Sequence, residues 1–250
     1  MEADKLRNVK LTIAYDGGGY HGWQRQKEEI TTVQQVLEEA IGEATGESIT
    51  VRGSGRTDTG VHAAGQVANF FTDTIIPTER LGRVIGKYLP GDIRVIRAEE
   101  VDNDFDAIGS AVSKLYRYTV YQEREIPLNL KPFCYQYYHR CDIEAMQEGA
   151  NRLLGEHDFA SFNSAGGKRM STVRNLYRCE IRQKYHLIYF DLEANGFLYH
   201  MVRNVVGTLL EIGRGRWTSE HIENILAARD RMAAGPLAPA NGLSLQWVKY

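Results

Sequence analysis

The first half of the chain alternates strand patterns with helix patterns. Apolar residues at every second position from Val9 to Tyr15 have the period of a half-buried β-strand. A 3.6-residue period follows and predicts a helix that starts at Thr31 or Thr32, each with a glutamine three residues on as in a capping box, and ends at Gly46. The other predictions in this half are strands at 49–52, 66–71 and 93–98 and a helix at 79–89.

The second half repeats this mixture. Strands are predicted at 113–122, 175–182, 187–192 and 243–248, and helices at 143–154, 198–212 and 219–229. Asp142 and Gly155 flank the first of these helices as N-cap and stop signal. Because helices and hairpin-like strands are mixed in both halves, the sequence predicts an α+β fold rather than a doubly wound parallel sheet.

The expected organisation is two α/β halves, residues 1–107 and 108–250, that share a mainly antiparallel sheet with helices on the outside. At 250 residues and 28.3 kDa the chain is longer than a single hydrophobic core usually needs. No low-complexity linker separates the halves, so we expect them to pack closely with the active-site cleft between them.

Composition and charge exclude several classes of protein. No apolar run reaches the roughly 18 residues that a bilayer span requires, and the first residues lack the hydrophobic core of a secretion signal, so we expect a cytoplasmic protein with no membrane partner. Cys134, Cys141 and Cys179 form no CxxC pair, which argues against a disulfide framework and a structural zinc site. The formal net charge of −2, taken alone, argues against a nucleic-acid partner.

The densest polar segment covers residues 53–65. Its glycines permit tight backbone paths, and Arg56, Asp58 and His62 form the kind of cluster that a functional loop contains. An ion pair between Arg56 and Asp58 inside an ordinary turn explains the same residues, so both interpretations stay open. The glycine spacing matches neither a GxGxxG nor a GK[ST] phosphate loop.

Two further signals each have a structural and a functional interpretation. Arg203 lies in an apolar helix pattern, where an unpaired buried charge costs roughly several kcal/mol. Its guanidinium therefore either pairs with an anion from elsewhere in the fold or reaches solvent along the flank of the helix. Such an ion pair would be either part of a functional site or a structural pair in the core. Tyr116 shares a strand face with Lys114 and Tyr118, which suits stacking on a base or an ordinary cross-strand aromatic pair.

The segment Gly55-Arg56-Thr57-Asp58-x-Gly60-Val61-His62-Ala63 resembles the signature of the TruA family of tRNA pseudouridine synthases. Colinear resemblances cover nearly the whole chain, at Tyr15-Asp16-Gly17, Gly22-Trp23-Gln24-Arg25-Gln26, Leu89-Pro90-Gly91-Asp92-Ile93, Phe105-Asp106-Ala107, Leu154-Gly155-x-x-Asp158-Phe159-x-Ser161-Phe162, Arg174-Asn175, His200-Met201-Val202-Arg203-Asn204 and Ala238-Pro239-Ala240-x-Gly242-Leu243. So many matches in order favour the functional interpretation of the three signals above.

The resemblance implies the pseudouridine synthase fold and an isomerase that acts on uridines 38, 39 and 40 of the tRNA anticodon stem-loop. Asp58 matches the catalytic aspartate, Tyr116 the tyrosine that stacks on the target base, and Arg203 the basic partner of the aspartate. Arg56 resembles the arginine that helps to hold the place of the flipped nucleotide. The family also implies a homodimer in which one tRNA contacts both subunits, with no metal and no organic cofactor.

The residue types suit that chemistry. Conversion of uridine to pseudouridine breaks the N1–C1′ bond and joins C5 to C1′ without redox change, so a carboxylate in a closed pocket suffices. Asp58 could add to C1′, add to C6, or act as a base at C2′, and the sequence leaves all three routes open. Arg203 beside it would favour the ionised carboxylate, and stacking on Tyr116 would recover about 1–3 kcal/mol of the cost of unstacking the base.

The local distribution of charge is compatible with RNA. Residues 163–184 contain six basic residues against Glu180 alone, whereas residues 28–47 contain six glutamates and no lysine or arginine, which we expect on a helix face. Lys168, Arg169 and Arg174 are therefore predicted to contact RNA phosphates. The family often has arginine where this chain has Ile108, a departure that affects RNA affinity rather than the chemistry.

Two other functions compete with this interpretation. An RNA deaminase would use the HxE pattern at His221 and Glu223, but such enzymes also need a PCxxC segment that this sequence lacks. Cys134, His139 and Cys141 have no recognised zinc-site spacing. A non-catalytic RNA-binding module is opposed by the complete set of site residues.

Overall fold

A computed structural model describes residues 6–26, 30–166 and 171–250. The chain divides into two compact units, the first formed by Met1–Val112 with Leu245–Tyr250 and the second by Ser113–Ser244. The sequence places the division after residue 107, without assigning the last strand to the first half. The C-terminus joins the first unit because the Tyr250 hydroxyl donates to the Ala107 carbonyl and the Val112 amide donates to the Lys249 carbonyl.

The described residues of the two units form ten strands and five α-helices. The strands are β1 (Arg7–Tyr15), β2 (Arg52–Gly53), β3 (His62–Thr72), β4 (Ile93–Val101), β5 (Ser113–Tyr121), β6 (Tyr135–Gln136), β7 (Gly155–Asp158), β8 (Val173–Lys184), β9 (Leu187–Ala194) and β10 (Leu243–Lys249). The helices are α1 (Val33–Thr45), α2 (Thr78–Ile85), α3 (Ile143–Asn151), α4 (Met201–Gly213) and α5 (His221–Ala228).

Strand pairing is mainly antiparallel within each unit. In the first unit the order is β4-β1-β3-β10, with β2 also paired to β3. In the second unit the order is β5-β9-β8-β7, and the short β6 runs parallel to β5. The prediction of a mainly antiparallel α+β fold is confirmed.

Helix α1 shows how its termini were specified by the sequence. The Thr32 hydroxyl accepts a hydrogen bond from the Gln35 amide, and Gly46 ends the helix at φ 79°, so the second of the two predicted starts is correct. Val33, Leu37 and Ile41 are buried on one face. On the acidic face, Glu38 is buried and accepts a hydrogen bond from the side-chain amide of Gln34.

The strand predicted at 49–52 is almost absent. The Val51 amide donates to the Glu38 carboxylate over 3.0 Å instead of joining a ladder, so only Arg52 and Gly53 pair with β3. Strands β3 and β4 extend beyond their predicted ends, whereas α2 and α3 stop three or four residues earlier than predicted. The two short strands β6 and β7 have too few residues to display a period.

In the second unit, α3 packs against β8 and α4, and α4 contacts β5. Tyr118 and Phe190, opposite each other in the β5–β9 register, are fully buried. The Gln147 side chain on α3 accepts from the Ile181 amide of β8 and donates to the Cys179 carbonyl, which fixes the helix on the sheet. None of the helices in the described part of the chain combines the length and the hydrophobicity that crossing a bilayer requires.

Candidate active site

Asp58 lies in the loop between β2 and β3, in the first unit. Main-chain hydrogen bonds hold this loop on both sides of the aspartate: the Trp23 amide donates to the Thr57 carbonyl over 3.0 Å, and the Val61 amide donates to the Asp58 carbonyl over 3.1 Å. The hydroxyls of Tyr15 and Thr57 are 2.8 Å apart and share a hydrogen bond. The loop therefore has a defined backbone path at its catalytic candidate.

Side chains along this loop differ in their exposure to solvent. Thr57 is buried, whereas Arg56 before it is exposed and Asp58 after it is half-buried. The two charged side chains that the sequence singled out are therefore the accessible ones. Both belong to the same short segment, so the structure brings Arg56 and Asp58 together in the first unit.

Two glycines allow other segments to approach this loop closely. Gly22 has φ 85°, and a Cβ atom there would lie 2.6 Å from the Thr57 carbonyl oxygen. A Cβ atom on Gly17 would overlap the Val61 carbonyl. The glycines of the Tyr15-Asp16-Gly17 and Gly22-Trp23 motifs are thus explained by contact with the backbone around Asp58.

His62, which the sequence grouped with Arg56 and Asp58, lies at the end of the loop as the first residue of β3. Its side chain is buried, and its Nδ1 atom lies 3.0 Å from both the Gly17 amide and an Asp16 carboxylate oxygen. The same Asp16 oxygen accepts from the Gly18 amide. His62 therefore joins the first motif of the chain to the end of the Asp58 loop.

Tyr116 lies on β5 in the second unit and is 8% exposed. Its ring meets Phe197 edge to face, with ring centres 5.1 Å apart and planes at 85°. Sequence reasoning missed Phe197, which precedes α4 and gives no pattern of its own. Tyr116 is thus largely buried, with Phe197 packed against its ring.

An arginine–aspartate cluster fixes β5 next to Tyr116. Arg117 donates two hydrogen bonds to Asp191 on β9, over 2.7 and 2.8 Å, and Arg182 on β8 donates a third. Burial raises the pKa of the Asp191 carboxyl, but the hydrogen bonds and charges of Arg117 and Arg182 hold that pKa below its ordinary value. These bonds tie three strands together at the register position adjacent to the candidate stacking residue.

Arg203 occupies the first turn of α4 and is half-buried. Its Nε atom donates to the Ala238 carbonyl over 2.7 Å, and the Ala238 amide donates to the Arg203 carbonyl over 3.3 Å. Its charge also lies near enough to Tyr118 to oppose the large rise that burial causes in the pKa of that phenol. Arg203 thus has a main-chain carbonyl as a partner. The sequence predicted an anionic partner or solvent for this side chain, and did not predict a carbonyl.

The motif at residues 238–243 contacts Tyr118 at two points. The Tyr118 hydroxyl donates to the Pro239 carbonyl over 2.7 Å, and a Cβ atom on Gly242 would lie 2.6 Å from the Tyr118 ring. Asn204, next to Arg203, donates its side-chain amide to the Phe162 carbonyl over 2.8 Å. The motifs around Ser161-Phe162, Arg203-Asn204 and Ala238-Pro239 therefore meet within the second unit.

Of the three residues predicted to contact RNA, the structure describes Arg174. Arg174 is half-buried on β8; it donates to the carbonyls of Ser171 and Val173 and lies against Gly196, the neighbour of Phe197. Tyr116 and Arg174 thus contact the same segment before α4. Lys168 and Arg169 lie outside the described residues.

The residues of the rival interpretations are placed elsewhere. Glu223 on α5 forms an ion pair with Arg152, and the His221 ring packs on Trp217 with ring centres 4.6 Å apart. Across residues 6–26, 30–166 and 171–250, no three His, Cys, Asp or Glu side chains are grouped to hold a metal ion. The three cysteines are free thiols.

Comparisons with known proteins converge on one family. The family model described as tRNA pseudouridine synthase matches residues 11–108 and 150–250. The tRNA pseudouridine synthase A proteins of Acetivibrio thermocellus and of a Thermoanaerobacter species are 43% and 42% identical over 245 residues, covering 98% of this chain and 100% of each relative. A crystal structure of the archaeal box H/ACA sRNP Nop10-Cbf5 complex matches 90% of this chain and 60% of that one at 11% identity and a TM-score of 0.35, a likeness too low to support a conclusion.

Proposed function

The chain belongs to the family of tRNA pseudouridine synthases, which are isomerases, and from this premise we propose that it converts uridine to pseudouridine at positions 38, 39 and/or 40 of the tRNA anticodon stem-loop. We propose Asp58 as the catalytic carboxylate. The observation that carries the assignment is the accessible Asp58 side chain on a loop whose backbone is fixed at Thr57 and Val61.

The reaction balances without an added reagent. The N1–C1′ bond breaks, the uracil turns, C5 bonds to C1′, the C5 proton leaves to solvent and N1 gains a proton. A carboxylate that adds to the ribose or the base, or removes a proton from C2′, provides the step that each route requires. The assignment is supported by exposure, because Asp58 is only half-buried whereas its neighbour Thr57 is buried.

Loss of the C5 hydrogen gives a direct test. The protein is incubated with tRNA transcript that carries tritium at C5 of its uridines, with no cofactor added. We expect stoichiometric tritium release from at most three uridines per tRNA. No release from a tRNA that the protein binds would contradict the proposed activity.

We propose that Tyr116 stacks on the target base. Replacement by phenylalanine should keep the single-turnover rate within about threefold of wild type, because the ring and its contact with Phe197 remain. Replacement by alanine should lower that rate by roughly 10- to 100-fold, since base–aromatic stacking is worth about 1–3 kcal/mol. Equal rates in the two variants would remove the stacking role.

We propose that Arg203 is the basic partner of Asp58. Arg203→Met should lower the single-turnover rate by roughly 10²-fold or more, because a cation that favours the ionised carboxylate is lost. Arg203→Lys is the matched variant: it keeps the charge but loses the Nε hydrogen bond to Ala238, and it should retain more activity than the methionine variant. Full turnover of Arg203→Met would disprove the pairing.

The remaining parts of the proposal concern binding. We propose that Arg56 helps to hold the place of the flipped nucleotide, because it is exposed two residues before Asp58. Arg174, Lys168 and Arg169 are proposed to contact RNA phosphates, as the basic charge of residues 163–184 suggests. A cytoplasmic homodimer that needs no cofactor and binds one tRNA across both subunits completes the proposal.

A further inference from the structure

Three uncharged polar side chains, one in the loop that carries Asp58 and two on neighbouring strands, are buried. Tyr15 on β1 and Thr57 in the loop are each 5% exposed, and Gln66 on β3 is fully buried. We refer to Tyr15, Thr57 and Gln66 as the polar brace. A core position that binds no ligand is normally apolar, so three hydrogen-bonding groups in one place need a reason.

The polar brace engages the loop residue by residue. The Gln66 side-chain nitrogen donates to the Gly55 carbonyl over 2.9 Å, and the Ser54 hydroxyl donates to the Gln66 side-chain oxygen over 2.7 Å. The Tyr15 hydroxyl meets the Thr57 hydroxyl at 2.8 Å. Positions 54, 55 and 57 are therefore tied to side chains of β1 and β3, on both sides of Arg56 and directly before Asp58.

The brace is also insensitive to pH in the working range of an enzyme. Burial raises the pKa of the Tyr15 phenol to about 12, and its hydrogen bonds with Thr57 and Gln66 oppose that rise only in part. The phenol therefore stays protonated at neutral pH, and none of the three side chains brings a charge under Asp58. The brace can therefore fix geometry without adding a charge next to Asp58.

We propose that Tyr15 is a positioning residue for the isomerisation, acting through Thr57 to hold the Asp58 carboxylate in its reactive orientation. This inference rests on the proposed role of Asp58. The Tyr15 ring also packs near Trp23, with ring centres 6.1 Å apart, so the ring serves the core while the hydroxyl serves the loop. Displacement of a reacting group by about 1 Å can lower a rate by roughly 10²-fold, which gives the scale of the effect.

The test separates the hydroxyl–hydroxyl contact from general stability. Tyr15→Phe and Thr57→Val each remove one partner and keep the shape of the side chain. Each should lower the single-turnover rate about 10-fold or more at saturating enzyme, while the Kd for tRNA stays within about twofold. The double variant should be no slower than the slower single variant, because both changes break the same contact.

Two further variants make the result specific. Thr57→Ser keeps the hydroxyl and should remain within about threefold of wild type. Thr72→Val removes a different buried hydroxyl, on β3, which donates a hydrogen bond of 2.7 Å to the Glu47 carboxylate. Neither residue belongs to the Asp58 loop, so this variant should leave the rate unchanged. If Tyr15→Phe is too unstable to purify, the Thr57→Val and Thr57→Ser pair decides the question alone.

Each outcome separates this inference from the proposed function. Wild-type turnover in Tyr15→Phe or in Thr57→Val, with Asp58→Asn inactive, would overturn the positioning role and leave the function intact. An equal loss in Thr72→Val would overturn it as well, because the effect would then be general. Full turnover in Asp58→Asn would overturn the proposed function itself.

Discussion

Replacement of Asp58 by asparagine is expected to lower the single-turnover rate of pseudouridine formation by roughly 10⁴-fold or more, the scale seen when an enzyme loses its nucleophile or base. Asparagine has nearly the same size but carries no negative charge, so it neither adds to the nucleoside nor accepts a proton. Because the loop is held at Thr57 and Val61, its backbone should not move. The Kd for tRNA should therefore stay within about threefold, as filter binding would measure.

The matched control is Asp73→Asn, which makes the same change at an exposed aspartate of the same unit. Its rate should equal that of the wild type. If Asp58→Asn instead keeps more than about a tenth of the wild-type rate, another group provides the chemical step and the assignment of Asp58 is wrong.

Replacement of Gly207 by alanine is expected to destabilise the second unit by about 3 kcal/mol or more. Gly207 lies in α4, and a Cβ atom there would overlap the carbonyl oxygen of Pro236. The methyl group must push residues 235–238 away from the helix. That movement would also break the Gly235 amide bond to the Thr208 hydroxyl and the paired contacts between Arg203 and Ala238.

Both consequences are measurable. Urea denaturation followed by circular dichroism should show a lower midpoint, and the folded variant should turn over more slowly because Arg203 has lost its carbonyl partner. Gly91→Ala serves as the control, since a Cβ atom at that exposed glycine meets nothing within 4 Å. A Gly207→Ala protein with wild-type stability would mean that the close contact with Pro236 does not constrain the fold.

Local pattern was enough to predict most of the elements. β1, β5, β9 and β10 agree with their predicted positions to within two residues at each end, because alternation of apolar and polar residues records which face is buried. The N-caps Thr32 and Asp142 were likewise readable, because a side-chain oxygen must satisfy a free amide within three residues. Both kinds of signal are local in sequence.

Contacts between residues that are distant in sequence could not be predicted from the sequence. The failure at 49–52 arose because Glu38, thirteen residues earlier, takes the Val51 amide that a strand would have used. Tyr15 and Thr57 are 42 residues apart, and no period or spacing links them. The Asp58 loop was found from its residue types, whereas its supports required knowledge of which segments lie against it.

The same distinction holds in the second unit. The alternation along β5 correctly placed Tyr116 and Tyr118 on the face opposite Arg117. Phe197 and the Ala238 carbonyl, which contact Tyr116 and Arg203, belong to irregular segments before and after α4. Irregular segments carry no repeating pattern, so their contacts follow only from the folded chain.

A position-resolved map of pseudouridine in one tRNA tests the central claim most directly. An unmodified transcript with uridine at positions 38, 39 and 40 is incubated with the purified protein in cofactor-free buffer and sequenced after chemical labelling of pseudouridine. The proposed function predicts pseudouridine at one or more of these positions, none elsewhere, and none with Asp58→Asn. An unchanged transcript, modification outside the anticodon stem-loop, or equal modification by the Asp58→Asn variant would contradict it.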